Sequence, residues 1–389
     1  MGINYCAGVQ GHTYVASNLS RTSRFLIEDL GLKLRKRTVH HSNEQIGVAF
    51  FGFSEDGVDE PVIAYLEWSP LFFEMPGDGL IDPRRAAGAT LRPSIGDAKG
   101  RWGAGTNHHL ALHVQDRNGL LKWKRRLTDR GIHVTGPYFR NYFHAIYLRD
   151  PDGAIVEIAT TEPGFGHDEE ILGSGHRKPP ADALIGVRSE VEVAAETWNE
   201  PVEAITRDMA LLGFHHITSV SADAERTVDF FVEKVGLDLI KRTDYLDANG
   251  THFYYSAGPD VTPGNIVTFF GFPQFPRGRI GVGLAHHFTL TAKDENALEN
   301  WRDELLRKGV APTAVQDRYI FKEFYFSDPD GHIVSIATKP KFQGAPLRDG
   351  DNGLALPDAL EKRRTELEQF HRLHPAPSAR AADVEVKTA

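Results

Sequence analysis

A carboxylate set in an apolar strand is the residue of this chain that most plainly asks for a partner. Glu157 lies in Ala154-Ile155-Val156-Glu157-Ile158-Ala159, where strand alternation puts Ile155, Glu157 and Ala159 on one side. Burying such a group without a cation or hydrogen-bond donors is costly. His109, the second member of the pair His108-His109, lies 48 residues upstream (157 − 109), and a further pair, His215-His216, opens a later segment. Two histidines and one carboxylate can occupy one face of an octahedron around a divalent metal and leave three positions open. His109, Glu157 and His216 are therefore expected to form a ligand triad.

A repeat sharpens that expectation. Asp150-Pro151-Asp152-Gly153-Ala154-Ile155-Val156-Glu157 recurs as Asp328-Pro329-Asp330-Gly331-His332-Ile333-Val334-Ser335, and His287 again precedes its last residue by 48 positions (335 − 287). One copy keeps a carboxylate and the other a hydroxyl. His12 and His287 are read as relics of the duplication, because Ser335 replaces their carboxylate partner. An isolated strand histidine is ordinarily structural, and His113, His144, His40, His41, His133 and His176 are read so.

The elements that must position these residues recur four times, as a strand, a helix and about three more strands. Amphipathic stretches at Arg21 to Leu30 and Asn118 to Arg130 end at Gly31 and Gly131, where helix C-caps are expected. The fold class is α+β. An N-terminal domain over 1–160 holds modules at 8–70 and 105–160, with a Pro/Gly-rich connection near Leu71 to Ala104 between them. A polar connector covers 161–212. A C-terminal domain over 213–340 holds modules at 213–273 and 284–340. The 341–389 tail carries one charged helix, about Pro357 to His371, and ends in a stretch from Pro375 expected to be disordered. The tail is expected to pack on the surface or to serve a homo-oligomer contact.

Composition excludes several partners. The 389 residues carry a formal charge of −9 with scattered Lys and Arg, which argues against nucleic acid or an anionic membrane. A single cysteine, Cys6, leaves no intrachain disulfide and no thiolate cluster. Neither a signal peptide nor an apolar run of membrane-spanning length is evident, so a cytoplasmic protein is expected.

With these motifs in place, the chain resembles the vicinal oxygen chelate superfamily, whose βαβββ modules pair into metal-holding, barrel-like clefts. More closely, His215-His216-Ile217-Thr218, Val228-Asp229-Phe230-Phe231, Lys241-Arg242-Thr243 and Thr262-Pro263-Gly264 resemble the hydroquinone and chlorohydroquinone ring-cleaving dioxygenases. In that family this block is N-terminal, whereas here it opens the C-terminal half. The resemblance implies Fe(II) as cofactor, with Mn(II) suited to the same donors, and O2 and a small hydroquinone-type aromatic as substrates. It implies iron on His109, His216 and Glu157. His108 and His215 would line the substrate pocket as acid/base or hydrogen-bonding residues, with Thr218 pointing into the same cleft. Arg140 and Tyr147 fall at the family's offsets before the glutamate. Two other readings compete: a glyoxalase-type isomerase, for which Thr268 stands where a fourth ligand is needed, and a metal-free aromatic-binding protein, which has no use for Glu157.

Overall fold

Each segment folds as a βαβββ module. The first comprises β1 (Cys6–Ala16), α1 (Leu19–Arg24, continued by a π-helical turn at Phe25–Asp29), β2 (Lys33–His40), β3 (Asn43–Gly52) and β4 (Val62–Glu67). The second comprises β5 (Thr106–Val114), α2 (Arg117–Asp129), β6 (Thr135–Phe139), β7 (Phe143–Arg149) and β8 (Ile155–Pro163). In the connector lie β9 (His176–Arg177) and α3 (Glu190–Ala195). The third module runs through β10 (Phe214–Ser221), α4 (Ala224–Asp229, with a π-helical turn at Phe230–Val235), β11 (Asp238–Asp244), β12 (Thr251–Ser256) and β13 (Ile266–Gly271). The fourth runs through β14 (Ala285–Ala292), α5 (Glu295–Arg307), β15 (Gln316–Asp317), β16 (Lys322–Ser327) and β17 (Ile333–Ala337), and the tail holds α6 (Asp358–Glu361) and α7 (Arg364–Leu373). This computed structural model describes residues 5–40, 43–55, 57, 60–68, 99–166, 168–273, 275–318, 320–342, 354–356 and 358–373. His41, most of the 71–104 connection and the stretch from Pro375 lie outside them.

The helices form for local reasons that repeat. Asp116 accepts from Gly119 N at 2.9 Å, α2 buries Leu120, Trp123 and Leu127 at helical spacing, and Gly131 (φ +78) ends it in the left-handed region. In α5, Asp294 caps through Ala297 N at 2.7 Å, and Leu298, Trp301 and Leu305 face the core. Late in the polar connector, residues 202–211 form only a short 3-10 turn at Arg207–Met209, where Met209 alone is fully buried, receiving the Trp123 indole on its carbonyl at 2.6 Å.

Two curled sheets result, but their membership crosses the expected halves. One sheet runs β15-β16-β17-β14-β1-β4-β3-β2 and the other β6-β7-β8-β5-β10-β13-β12-β11-β9. Module one thus pairs with module four, and module two with module three, in place of pairing within 1–160 and within 213–340. The cause lies at the sheet centres, where each module's first strand has an open edge that another first strand satisfies, β1 with β14 and β5 with β10, both antiparallel. Contacts within each half come instead from the repeated turns. Asp152 receives Ser17 N and Arg21 Nη2 at 2.9 and 2.6 Å, and Asp330 receives Ser221 Oγ and Arg226 Nη2 at 2.6 and 2.7 Å. In the tail, Leu354 and Leu367 pack on Val39 of β2, so it covers part of module one's surface.

Candidate metal centre

Adjacent strand residues ordinarily point to opposite faces, so a His-His pair should split. Here it does not, because each pair sits on a β-bulge. Opposite Ala111 and Leu112 of β5 lie His216 and Phe214 of β10, which leaves His215 as the extra residue; His109 and Asn107 lie opposite Thr218 and Ser219, which leaves His108 as the extra one. Each bulge brings both imidazoles together, with His108 Nδ1 2.6 Å from His109 Nδ1 and His215 Nδ1 2.8 Å from His216 Nδ1.

The three expected ligands meet. His109 Nε2 lies 2.7 Å from Glu157 Oε2, His216 Nε2 lies 3.6 Å from the same oxygen, and the two ring nitrogens are 3.2 Å apart. His109, His216 and Glu157 are 3%, 2% and 1% exposed. Despite the close imidazole, neither oxygen of Glu157 accepts a hydrogen bond of acceptable geometry, so a deeply buried carboxylate is left short of partners. Among the described residues this is the one group of three such side chains whose donor atoms all lie within 4.8 Å of one another. A divalent cation fits this donor set and would relieve the orphaned charge.

The electrostatics suit that occupant. Burial pushes the Glu157 carboxyl up, against the pull of His216 and Arg140. Burial lowers His109 to about 3 and His216 to about 4, so both are neutral and able to ligate near pH 7. His215 Nε2 lies 3.1 Å from the Thr160 carbonyl oxygen, which can only accept. It therefore donates there, takes the Nδ1–H of His216 on its own Nδ1, and leaves the His216 Nε2 lone pair facing Glu157. With the Nε2 lone pair of His109 kept for a metal, its Nδ1–H would donate to His108 Nδ1, which would put the His108 proton on Nε2.

A cavity of about 550 Å³ opens over this cluster. His108, His109, His216, Glu157, Arg140 and Tyr147 line it, while His215 and Thr218, both expected in the cleft, do not. His215 is turned to the Thr160 carbonyl by its bulge and orients His216, and Thr218 lies under His109, its Oγ1 2.9 Å from Nε2. Arg140 donates from Nε to Tyr147 Oη at 3.0 Å and from Nη1 to Asp247 at 2.7 Å. Burial works against the guanidinium charge, but Tyr147 and Asp247 outweigh it and hold its pKa above the ordinary value. Burial keeps the Tyr147 hydroxyl protonated.

Sequence reasoning missed the wall contributed by module three. His252 Nε2 lies 2.9 Å from Thr268 Oγ1 and its Nδ1 2.7 Å from Tyr254 Oη, while Thr268 bonds Thr218 at 2.8 Å. Tyr245, Asp247 and Phe270 complete that side. The alternation of Thr251-His252-Phe253-Tyr254-Tyr255 carried the signal: Phe253 and Tyr255 face the core, so His252 and Tyr254 face the cleft. His133, read as structural, also lines the cavity.

In the other sheet, His12 is not the counterpart of His216. Gly11 opposes Thr289 and Thr13 opposes His287, as His216 opposes Ala111 and Thr218 opposes His109. The bulge at Gln10 matches the one at His215, so the register puts Gly11 and not His12 in the place of His216; His12 faces away from the cleft, its Nε2 2.9 Å from the Asn107 side-chain nitrogen. Of the two histidines read as relics, His287 stays in the cleft, opposite Thr13, and a glycine, Gly11, stands at the register of His216.

The fold and the open two-histidine, one-carboxylate group together define a class. A family model described as "Glyoxalase/Bleomycin resistance protein/Dioxygenase superfamily" matches residues 2–158 and 213–336, and the chain belongs to this superfamily. It is similar to a Bacillus subtilis protein named "Putative ring-cleaving dioxygenase MhqO", at 25% identity covering 95% of each chain. A Sphingobium indicum protein named "Chlorohydroquinone/hydroquinone 1,2-dioxygenase" is 28% identical over 30% of this chain and 37% of its own. The crystal structure of a Bacillus subtilis protein titled a putative dioxygenase shares the fold, with a TM-score of 0.66 at 21% identity over 94% of this chain and 97% of that one. Glyoxalase I from Zea mays shares it more loosely, with a TM-score of 0.52 at 15% identity over 85% and 92%.

Proposed function

We propose that this chain is a non-haem Fe(II)-dependent ring-cleaving dioxygenase acting on a hydroquinone-type aromatic. The observation that carries the reading is Glu157, a buried carboxylate short of hydrogen-bond partners, set against two neutral imidazoles beneath a 550 Å³ cavity. Two histidines and one carboxylate with open positions are the donor set of oxygen-activating iron. Fe(II) held by His109, His216 and Glu157 would bring ring oxygen and dioxygen to neighbouring positions and carry electron density from one to the other.

The remaining steps belong to the side chains. Phe270, Tyr254 and Tyr245 supply ring-sized apolar surface that orients the substrate and excludes water. His108 Nε2–H offers a donor to an oxygen that becomes anionic. Arg140 offers a fixed cation on the same wall, and Asp247 and Tyr147 hold its guanidinium in place. Tyr147 Oη accepts from Arg140, and its own proton lies within reach of Glu157 and of an oxygen bound beside it. A chloro or carboxyl substituent would lie best near Arg140.

A glyoxalase-type reading needs a fourth protein ligand, and the neutral hydroxyl of Thr268, tied to Thr218 and His252, supplies none. The names of the relatives with full-length or partial similarity support oxygen chemistry. The test is metal content after anaerobic purification, followed by oxygen uptake with hydroquinone, chlorohydroquinones, gentisate and catechol. Stoichiometric iron and uptake with a para-diol are expected. A chain with no iron and no uptake on any of the four rings would remove the proposal.

A further inference from the structure

The cleft between β1 and β14 keeps one half of the first site's chemistry and has lost the other. Tyr325 opposes Ser335 in the β16–β17 ladder as Tyr147 opposes Glu157 in β7–β8. Arg318 precedes Tyr325 by the same seven residues (325 − 318) that separate Arg140 from Tyr147 (147 − 140). His286 and His287 repeat the bulged pair, with their Nδ1 atoms 2.9 Å apart. What has gone are two of the three candidate metal donors, since Gly11 stands at the register of His216 and Ser335 at that of Glu157, while His287 remains at that of His109.

The carboxylate has not vanished but moved. Glu323 occupies the ladder position of Ala145, opposite Ala337 as Ala145 is opposite Ala159. There it is fully partnered, accepting from Arg318 Nε at 2.7 Å, Ser335 Oγ at 2.7 Å and the Tyr325 hydroxyl. Nothing in this arrangement calls for a cation. One group does call for an acceptor: Arg318 Nη2 is buried without a hydrogen-bond partner, on a side chain 7% exposed.

Around it lies a cavity of about 120 Å³ whose apolar wall includes Val48, Phe50, Ala64, Leu66, Ile320 and Phe321. An engineered apolar cavity of roughly 150 Å³ holds benzene; this cleft is somewhat smaller but open at its rim, so it takes one ring at most. Leu360 of α6 closes part of its rim.

We propose that this second cleft is a metal-independent binding site for a single-ring phenol, with the ring on the Phe50 wall and the phenol oxygen accepting from Arg318 Nη2. The choice of a phenol rests on the dioxygenase reading of the first site, whose recognition groups the cleft retains. Without Gly11 and Ser335 replaced by ligands, the ring is bound there and not cleaved.

The test uses the full chain loaded with Fe(II) under argon and titrated with 4-fluorophenol, followed by fluorine resonance. Two bound environments are expected, one removed by Arg140→Met and the other weakened about tenfold or more by Arg318→Met, the scale of one lost hydrogen bond of about 1.4 kcal/mol. Ala64→Phe, which fills the cavity and leaves Arg318 paired with Glu323, should remove the second environment as well. Should the chain hold no iron, the dioxygenase reading fails while an Arg318-dependent environment still upholds this one. A single bound environment, or a second one indifferent to both Arg318→Met and Ala64→Phe, would overturn it.

Discussion

At the level of single residues, Glu157 is costly to the fold and valuable only with a cation beside it. Glu157→Gln should lower metal affinity at least about 100-fold, beyond the roughly 10- to 100-fold seen for residues that merely support ligands. The same change should leave the metal-free protein as stable as the parent or more so, since it removes an uncompensated buried charge. Metal titration and urea unfolding of both proteins check this, and a metal-free variant markedly less stable than its parent would sink it. The buried histidines set the pH dependence. His12 and His109 are lowered to about 3, and His216 and His286 to about 4, all from 6.5 and all by burial. A histidine depressed in the folded state stabilises fully above its unfolded pKa and loses that contribution as pH falls. Stability of the metal-free protein should therefore drop between about 6.5 and 4, by about 1.4 kcal/mol per pH unit for each such group. Glu157, pushed up by burial, acts in the opposite sense and is the smaller influence against four histidines. A urea midpoint that stays flat from pH 6.5 to 4.5 would contradict this account.

At the level of strands, the bulges decide which histidines meet. A bulge at His215 or His108 leaves no mark in composition, because the extra residue is defined by its neighbour strand. That is why the meeting of His109, His216 and Glu157 was legible, from a carboxylate in an apolar run, while the turned-away His215 and the one-residue offset of His12 from the register of His216 were not. His252 and Tyr254 were legible in principle from alternation alone. Asp247 was not, since it reaches Arg140 from the loop between β11 and β12. The register makes a constructive prediction. Gly11 has no positive φ, and a Cβ there would meet Val62 O at 3.4 Å and Thr289 Cβ at 3.5 Å, which is ordinary contact. The triple variant Gly11→His, Ser335→Glu, Glu323→Ala would rebuild two imidazoles and a carboxylate around His287. Metal content should rise from one to two ions per chain. If it stays at one, the correspondence of Gly11 with His216 is wrong.

For the whole molecule, the decisive fact is that the candidate metal centre straddles the two sequence halves. Glu157 and His109 come from module two and His216 from module three, brought together only where β5 lies along β10. Four modules with near-identical patterns do not announce which first strand joins which, and that explains why the strand content could be read while the pairing could not. The consequence is testable by division in the connector. Residues 1–212 alone would expose the apolar edges of β1 and β5, and 213–389 alone those of β10 and β14, so each should self-associate or aggregate when expressed singly. Neither holds a complete ligand set, so neither should bind metal stoichiometrically. Expressed together, the fragments should reassemble through both strand pairs and recover one ion per complex. Size-exclusion chromatography with metal analysis would decide the matter: a monomeric 1–212 fragment carrying a full ion would show that the halves, and not the crossed pairs, are the true structural units.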